Sequence, residues 1–164
     1  MDLSDDDLIR MYCDGDPDAF DTLFDRYHGP VYNFARTILG RPQEAEEVLQ
    51  ETFMSVARSA QTYEPRGRFR AWLMRIVRNR CLNRIEAQRL REPFQSIEGL
   101  DALVTGSNGP APSDQIEADE QAAAMRTAIA QLPDRQRQAI ALYAFEQMTY
   151  AEIALVLDAM RLRI

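Results

Sequence analysis

Tyr63-Glu64-Pro65-Arg66-Gly67-Arg68-Phe69-Arg70-Ala71-Trp72-Leu73-Met74-Arg75-Ile76-Val77-Arg78-Asn79-Arg80-Cys81-Leu82-Asn83-Arg84 is the stretch that decides how this chain reads. Phe69, Trp72, Leu73, Ile76 and Val77 recur at the spacing of one helical face, after a loop containing Pro65 and Gly67. Arginines neutralise phosphates. Aromatic rings and guanidinium planes stack on unpaired bases. Asn79 and Asn83 lie four apart and share a helix face, and side-chain amides read base edges through paired donor and acceptor. A Pro/Gly loop ahead of such a helix could form a pocket for an extruded base. The set fits single-stranded DNA, with Tyr63, Arg66, Arg68, Phe69, Trp72, Arg75, Arg78, Asn79, Arg80 and Asn83 as candidate contacts. Phe69 and Trp72 also read as core residues at helical spacing, and Asn79 as a helix-bonded amide.

The charge pattern points the same way. The 164-residue chain carries a net −7, and all 19 of its basic residues are arginines. Nine of them fall between Arg66 and Arg91 against one acid, Glu86, so that segment carries +8 and the rest −15. One concentrated basic segment on an acidic chain gives one place for nucleic acid and other surfaces for other partners. Net repulsion of phosphate predicts poor binding of duplex DNA by the free chain.

Outward from this stretch the sequence reads as helical. Asp16-Pro17 fits an N-cap and first helical position, followed by Phe20, Leu23, Phe24, Tyr27, Val31, Phe34, Ala35 and Ile38 at helical spacing. Gly29-Pro30 is expected to kink this helix or divide it in two. Gly40 stops it and Pro42 opens the next, which runs to about Ala60 with Ala45, Val48, Leu49, Thr52, Phe53 and Val56 inward. A helix from about Arg68 to Arg91 follows. Gly and Pro cluster between Pro93 and Ser113, and seven acids with no base lie between Glu92 and Glu120, which predicts a flexible, anionic linker. Beyond it, Ala118–Gln131 favours helix by propensity. Leu132-Pro133 separates it from a helix ending near Phe145, and Thr149-Tyr150-Ala151-Glu152 fits a capping box. Two helices joined by a short turn, with Ala154 at a potential close-packing point, suggest the first half of a helix-turn-helix. The expected fold is all-α: a helical domain over residues 1–92, a linker over 93–113 and a second small domain over 114–164.

Several function classes find no support. No apolar run reaches the length of a membrane span, and the acidic Met1–Asp7 start is unlike a secretory signal. Cys13 and Cys81 lie in no metal-ligand spacing and suit a reducing cytoplasm. With one histidine, no lysine and no Gly-rich phosphate loop, no catalytic set assembles. The expectation is a cytoplasmic, non-enzymatic protein with no cofactor, metal or small-molecule substrate.

The central stretch resembles the promoter-melting element of extracytoplasmic-function sigma factors of RNA polymerase. Phe69, Trp72, Leu73, Ile76 and Asn79 match that family's Phe-x-x-Trp-Leu-x-x-Ile-x-x-Asn pattern. Glu44-Ala45-Glu46-Glu47-Val48-Leu49-Gln50-Glu51-Thr52-Phe53 resembles its polymerase-binding helix. Asp7-Leu8-Ile9, Ala19-Phe20, Leu23-Phe24 and Tyr27 resemble its first region, and Leu132-Pro133, Arg135-Gln136-Arg137 and Tyr150–Ala154 its C-terminal domain. The likeness runs in order along nearly the whole chain. It implies that Glu47, Gln50, Glu51 and Met54 meet core RNA polymerase. It also implies that the Tyr63–Arg68 loop with Asn79 and Asn83 captures a flipped base of the −10 element, while Arg75, Arg78 and Arg80 hold phosphates. An anti-sigma factor would be a further partner.

One departure stands out. Only Ala159-Met160-Arg161-Leu162-Arg163-Ile164 follows Asp158, under two turns at ~1.5 Å per residue. The family's −35 recognition helix would be absent or a stub. An alternative is therefore a sigma-like module that binds polymerase or an anti-sigma factor without productive initiation. An ordinary helix-turn-helix repressor is disfavoured, because the basic cluster lies in the first domain.

Overall fold

Seven α-helices make up the computed structural model, which describes residues 3–91 and 113–158. α1 spans Asp5–Cys13. The Ser4 hydroxyl caps it by accepting from the Asp7 amide at 3.2 Å, and Asp5, Asp6 and Asp7 fill its first turn, where the helix dipole favours anions. α2 spans Pro17–Leu39, capped by Asp16 and closed by Gly40 at φ +77°, a left-handed value that suits glycine.

The expected break in α2 does not occur as a division: one helix runs through Pro30. Proline removes one backbone hydrogen bond and costs ~3 kcal/mol inside a helix. Val31, Phe34 and Ala35 continue the apolar face beyond it, each at 0% exposure. Burying a large apolar side chain contributes about 1.5–3 kcal/mol, so this face offsets the proline.

α3 spans Pro42–Ser59 and a 3-10 turn, Ala60–Thr62, ends it. Its inward residues Ala45, Val48, Thr52, Phe53 and Val56 are those the periodicity predicts, with Leu49 partly buried. α4 spans Phe69–Arg91. α5 (Ser113–Ala130), α6 (Asp134–Glu146) and α7 (Tyr150–Asp158) follow, and no strand occurs among the described residues. The capping box forms: the Thr149 amide donates to Glu152 Oε2 at 2.8 Å and the Glu152 amide to Thr149 Oγ1 at 3.3 Å. Gln147, in the left-handed region at φ 49°, caps the end of α6. Ala154 is exposed, not a packing point, because Ile153 and Val156 are the residues that α7 turns inward. Residues 93–112 of the expected linker and the six residues after Asp158 lie outside the described residues, and Ser113, expected in the linker, opens α5.

The two helical units share one apolar core. Leu23, Phe34, Val48, Leu73 and Val77 belong to the same buried cluster as Ala141, Leu142, Met148, Ile153 and Val156. α6 packs against α2, and α7 against α4. This seating decides which side of α4 faces solvent. No helix among the described residues is long and apolar enough to cross a membrane.

Candidate nucleic-acid interface

α4 presents three polar directions besides its buried side. The first faces α3. Arg84 donates to Glu47 and to Glu51, each at 2.7 Å, and Arg80 donates to Glu51 at 3.0 Å and to Ser55. Gln88 donates to Glu44 at 2.6 Å. Glutamates one turn apart on α3 thus meet arginines one turn apart on α4. The hydrogen bond to Glu47, ahead of the attraction of Glu51, raises the pKa of Arg84.

The second direction faces the C-terminal unit. Arg75 is half-buried and donates to the Leu155 carbonyl at 3.0 Å. Arg78 is 4% exposed and its Nε donates to Gln138 Oε1 at 2.5 Å. Its Nη1 is buried without a partner. Burial, then the charge of Arg135, lowers its pKa. Arg89 pairs with Asp134 at 3.5 Å on the surface. Arg75, Arg78 and Arg80, the residues expected to hold phosphates, have partners within the protein in this arrangement. The first two lie under α6 and α7, and the third is held by α3.

Asn79 and Asn83 occupy the third direction and are exposed, one turn apart. Arg66 and Arg68, in the loop before α4, are exposed as well. The aromatic residues divide. Phe69, 1% exposed, is core and cannot stack on a base, since Tyr27, Tyr63 and Trp72 surround its ring. Trp72 and Tyr63 are half-buried, their ring centres 4.8 Å apart.

The loop is tied to α1. Tyr63 donates its hydroxyl to Asp6 Oδ1 at 2.8 Å, and the Gly67 amide donates to Asp6 Oδ2 at 2.6 Å. Burial, then the Asp6 hydrogen bond, pushes the Tyr63 hydroxyl well above its ordinary range. Asp5 anchors the same helix to α2, accepting from Arg26 and from the Tyr27 hydroxyl, each at 2.5 Å. A cleft of about 420 Å³ opens beside the loop, walled by Asp5, Asp6, Gly67, Arg68 and, from α7, Glu152 and Leu155.

On α3, Glu47, Gln50 and Met54 are exposed and Glu51 is half-buried by its arginine partners. The four share one helix face, as expected. Met54, 54% exposed, puts an apolar side chain on it. Sequence reasoning missed Asp6, Gln138 and Leu155. Each acts on a residue at least 57 positions away in the chain, so no local pattern announces it.

Comparison with known proteins gives this geometry a family. The sigma-70 region 2 family model matches residues 23–91, and the sigma-70 region 4 family model matches residues 122–159. The chain is 31% identical over 153 residues to the ECF RNA polymerase sigma factor SigK of Mycobacterium sp. (strain KMS), covering 93% of this chain and 78% of SigK. It is 30% identical over 161 residues to the ECF RNA polymerase sigma factor SigW of Bacillus subtilis (strain 168), covering 92% and 83%. With the RNA polymerase sigma factor CarQ of Myxococcus xanthus it shares 34% over 145 residues, covering 88% and 80%. CnrH, solved in complex with the cytosolic domain of CnrY, has a similar fold, with a TM-score of 0.66 at 23% identity over 95% of this chain and 84% of CnrH. These relatives do not favour the alternative of a binding module that fails to initiate. With matches to both sigma regions in order and relatives at 30% identity or more over most of their length, the chain belongs to the extracytoplasmic-function family of RNA polymerase sigma factors.

Proposed function

We propose that this chain binds core RNA polymerase through the α3 face of Glu47, Gln50, Glu51 and Met54, and reads the −10 element of a promoter through Asn79 and Asn83. The observation that carries the reading is the placement of those two faces. They lie on adjacent helices locked by the Arg80 and Arg84 ion pairs, so polymerase docking fixes where the asparagines stand. Arg66 and Arg68, exposed in the loop before α4, are the proposed phosphate contacts, Arg66 exchanging its surface pair with Glu64 for one. The functional units are residues 1–92 and 114–164 with 93–113 between them. The protein directs transcription initiation in the cytoplasm and is not itself a catalyst. Arg75 and Arg78 join the phosphate contacts once α7 leaves α4 and α6 carries Gln138 away from Arg78, so initiation requires the C-terminal unit to move.

The test is open-complex formation with core polymerase on a library of promoter sequences, with an Asn79→Ala, Asn83→Ala double variant alongside. The expected result is selective melting of a −10 motif by the unaltered chain. The double variant should lose that selectivity while still binding polymerase. A chain that binds no polymerase, or a variant that melts the same promoters equally well, would refute the reading.

A further inference from the structure

We propose that Asp6 is a positioning residue for promoter reading: its carboxylate clamps the Tyr63–Arg68 loop and so fixes where Arg66, Arg68 and the start of α4 meet DNA. This rests on the reading of that loop as part of the DNA-contacting surface. Both carboxylate oxygens are committed to the loop, one to the Tyr63 hydroxyl and one to the Gly67 amide. The loop's backbone–backbone bonds belong to its ends, from the Tyr63 amide back to Ser59 and from the Trp72 amide to Arg68, and between them the Arg66 and Arg68 amides face the Tyr63 hydroxyl that Asp6 holds. Between those ends the chain turns through Gly67 at φ +66°, a conformation glycine permits but does not enforce. Charge-assisted acceptance from the Gly67 amide selects this one conformation.

The clamp is rigid at both ends. On the loop side, the Tyr63 ring lies against Phe69 and Trp72, with ring centres 5.7 and 4.8 Å away. On the α1 side, Leu8 and Ile9 are buried, and Asp5 ties the helix to Arg26 and Tyr27 of α2. A rigid mount matters because reading a base edge needs donor and acceptor placed to within a few tenths of an ångström. Arg66 offers no substitute for this tether, since its pairing with Glu64 is local and exposed. The consequence is a division of labour along α1: Asp5 holds the helix to the body, and Asp6 holds the reading loop to the helix.

The test uses the full chain with core polymerase on the same promoter library, comparing Asp6→Ala, Asp6→Asn and Tyr63→Phe with the unaltered protein. Amide exchange at Gly67 is followed in each. Asp6→Ala is expected to speed Gly67 exchange and to flatten the preference among −10 sequences about tenfold, the scale of losing a charge-assisted hydrogen bond. Its polymerase affinity should stay within about twofold. Asp6→Asn keeps an acceptor for only one of the two donors and should fall between. Tyr63→Phe keeps the ring and loses one bond, and combining it with Asp6→Ala should add little, because both remove the same interaction. Faster Gly67 exchange with unchanged promoter preference would overturn the proposal, leaving Asp6 a purely structural tie. Equal loss of polymerase binding and of selectivity would overturn it too, by showing general loosening. If the unaltered chain selects no promoter, the reading of the loop itself fails, and this inference with it.

Discussion

Gln138→Leu tests how firmly the C-terminal unit covers α4. The substitution keeps the side chain's bulk and removes the acceptor 2.5 Å from Arg78 Nε. Arg78 is 4% exposed and already has one buried nitrogen without a partner. Losing a hydrogen bond to a charged group costs about 1.5–3 kcal/mol. Arg78 regains solvation when α6, seated on α2, carries position 138 away from it, so the cost appears as easier separation of the C-terminal unit. The equilibrium toward separation should shift by about ten- to a hundredfold. Asp134→Ala supplies the contrast. Its pairing with Arg89 spans 3.5 Å between side chains 65% and 57% exposed, and such a surface pair contributes less than ~1 kcal/mol. The assay is amide hydrogen exchange over Tyr150–Asp158 and over the Arg75–Arg78 turn, which reports sub-global opening as a free energy. Exchange should rise strongly in Gln138→Leu and little in Asp134→Ala. Equal effects, or no change in Gln138→Leu, would refute the view that the buried guanidinium hydrogen bond holds the cover in place.

Three further outcomes are expected. Arg84→Met removes two 2.7 Å bonds to Glu47 and Glu51 and should lower stability by about 1 kcal/mol, read as a shift in urea midpoint, because the arginine is only partly buried. Met54→Ser should leave stability within about 0.5 kcal/mol yet weaken core polymerase binding about fivefold or more, measured by titration with labelled polymerase. Stability should decline in alkali. Burial raises the Cys81 thiol from 9.0 to about 12, and burial with hydrogen bonding raises the hydroxyls of Tyr27 and Tyr63. Folded values above unfolded ones mean the unfolded chain gives up these protons first. Their contribution is full below about pH 9 and is lost as pH rises toward the folded values. Urea midpoints at pH 8 and pH 10 measure the slope, and Tyr63→Phe should flatten it.

Helix boundaries were legible in the sequence because their signals are local. Asp16-Pro17, Gly40 and Thr149–Glu152 each act within one turn, and the structure ends or begins helices at each. The inward face of α3 and the outward placement of Asn79 and Asn83 followed from helical period alone. Of the two outcomes expected at Pro30, a kink or a division, the division does not occur, because period and proline conflict there and burial decides. The basic run misled in a different way. Counting charge treats nine arginines as one surface, whereas a helix distributes them in direction, so that α3 and the C-terminal unit each take a share. The matching of Glu47 and Glu51 with Arg80 and Arg84 could have been read from their common four-residue spacing. Gln138 and Asp6 could not, since only the folded chain brings them to Arg78 and Gly67.

The covering of Arg75 and Arg78 by α6 and α7 has a consequence for mass action. The cover and the surface beneath it belong to one chain, so their association does not weaken when the protein is diluted. A second molecule of the same sequence gains no such advantage. Whatever uncovers α4 must therefore bind the separated form more tightly than the closed one, and its apparent affinity is reduced by the fraction of chains closed at the moment of encounter. Small changes at Gln138, the side chain that bonds Arg78, would then reset the concentration of partner needed.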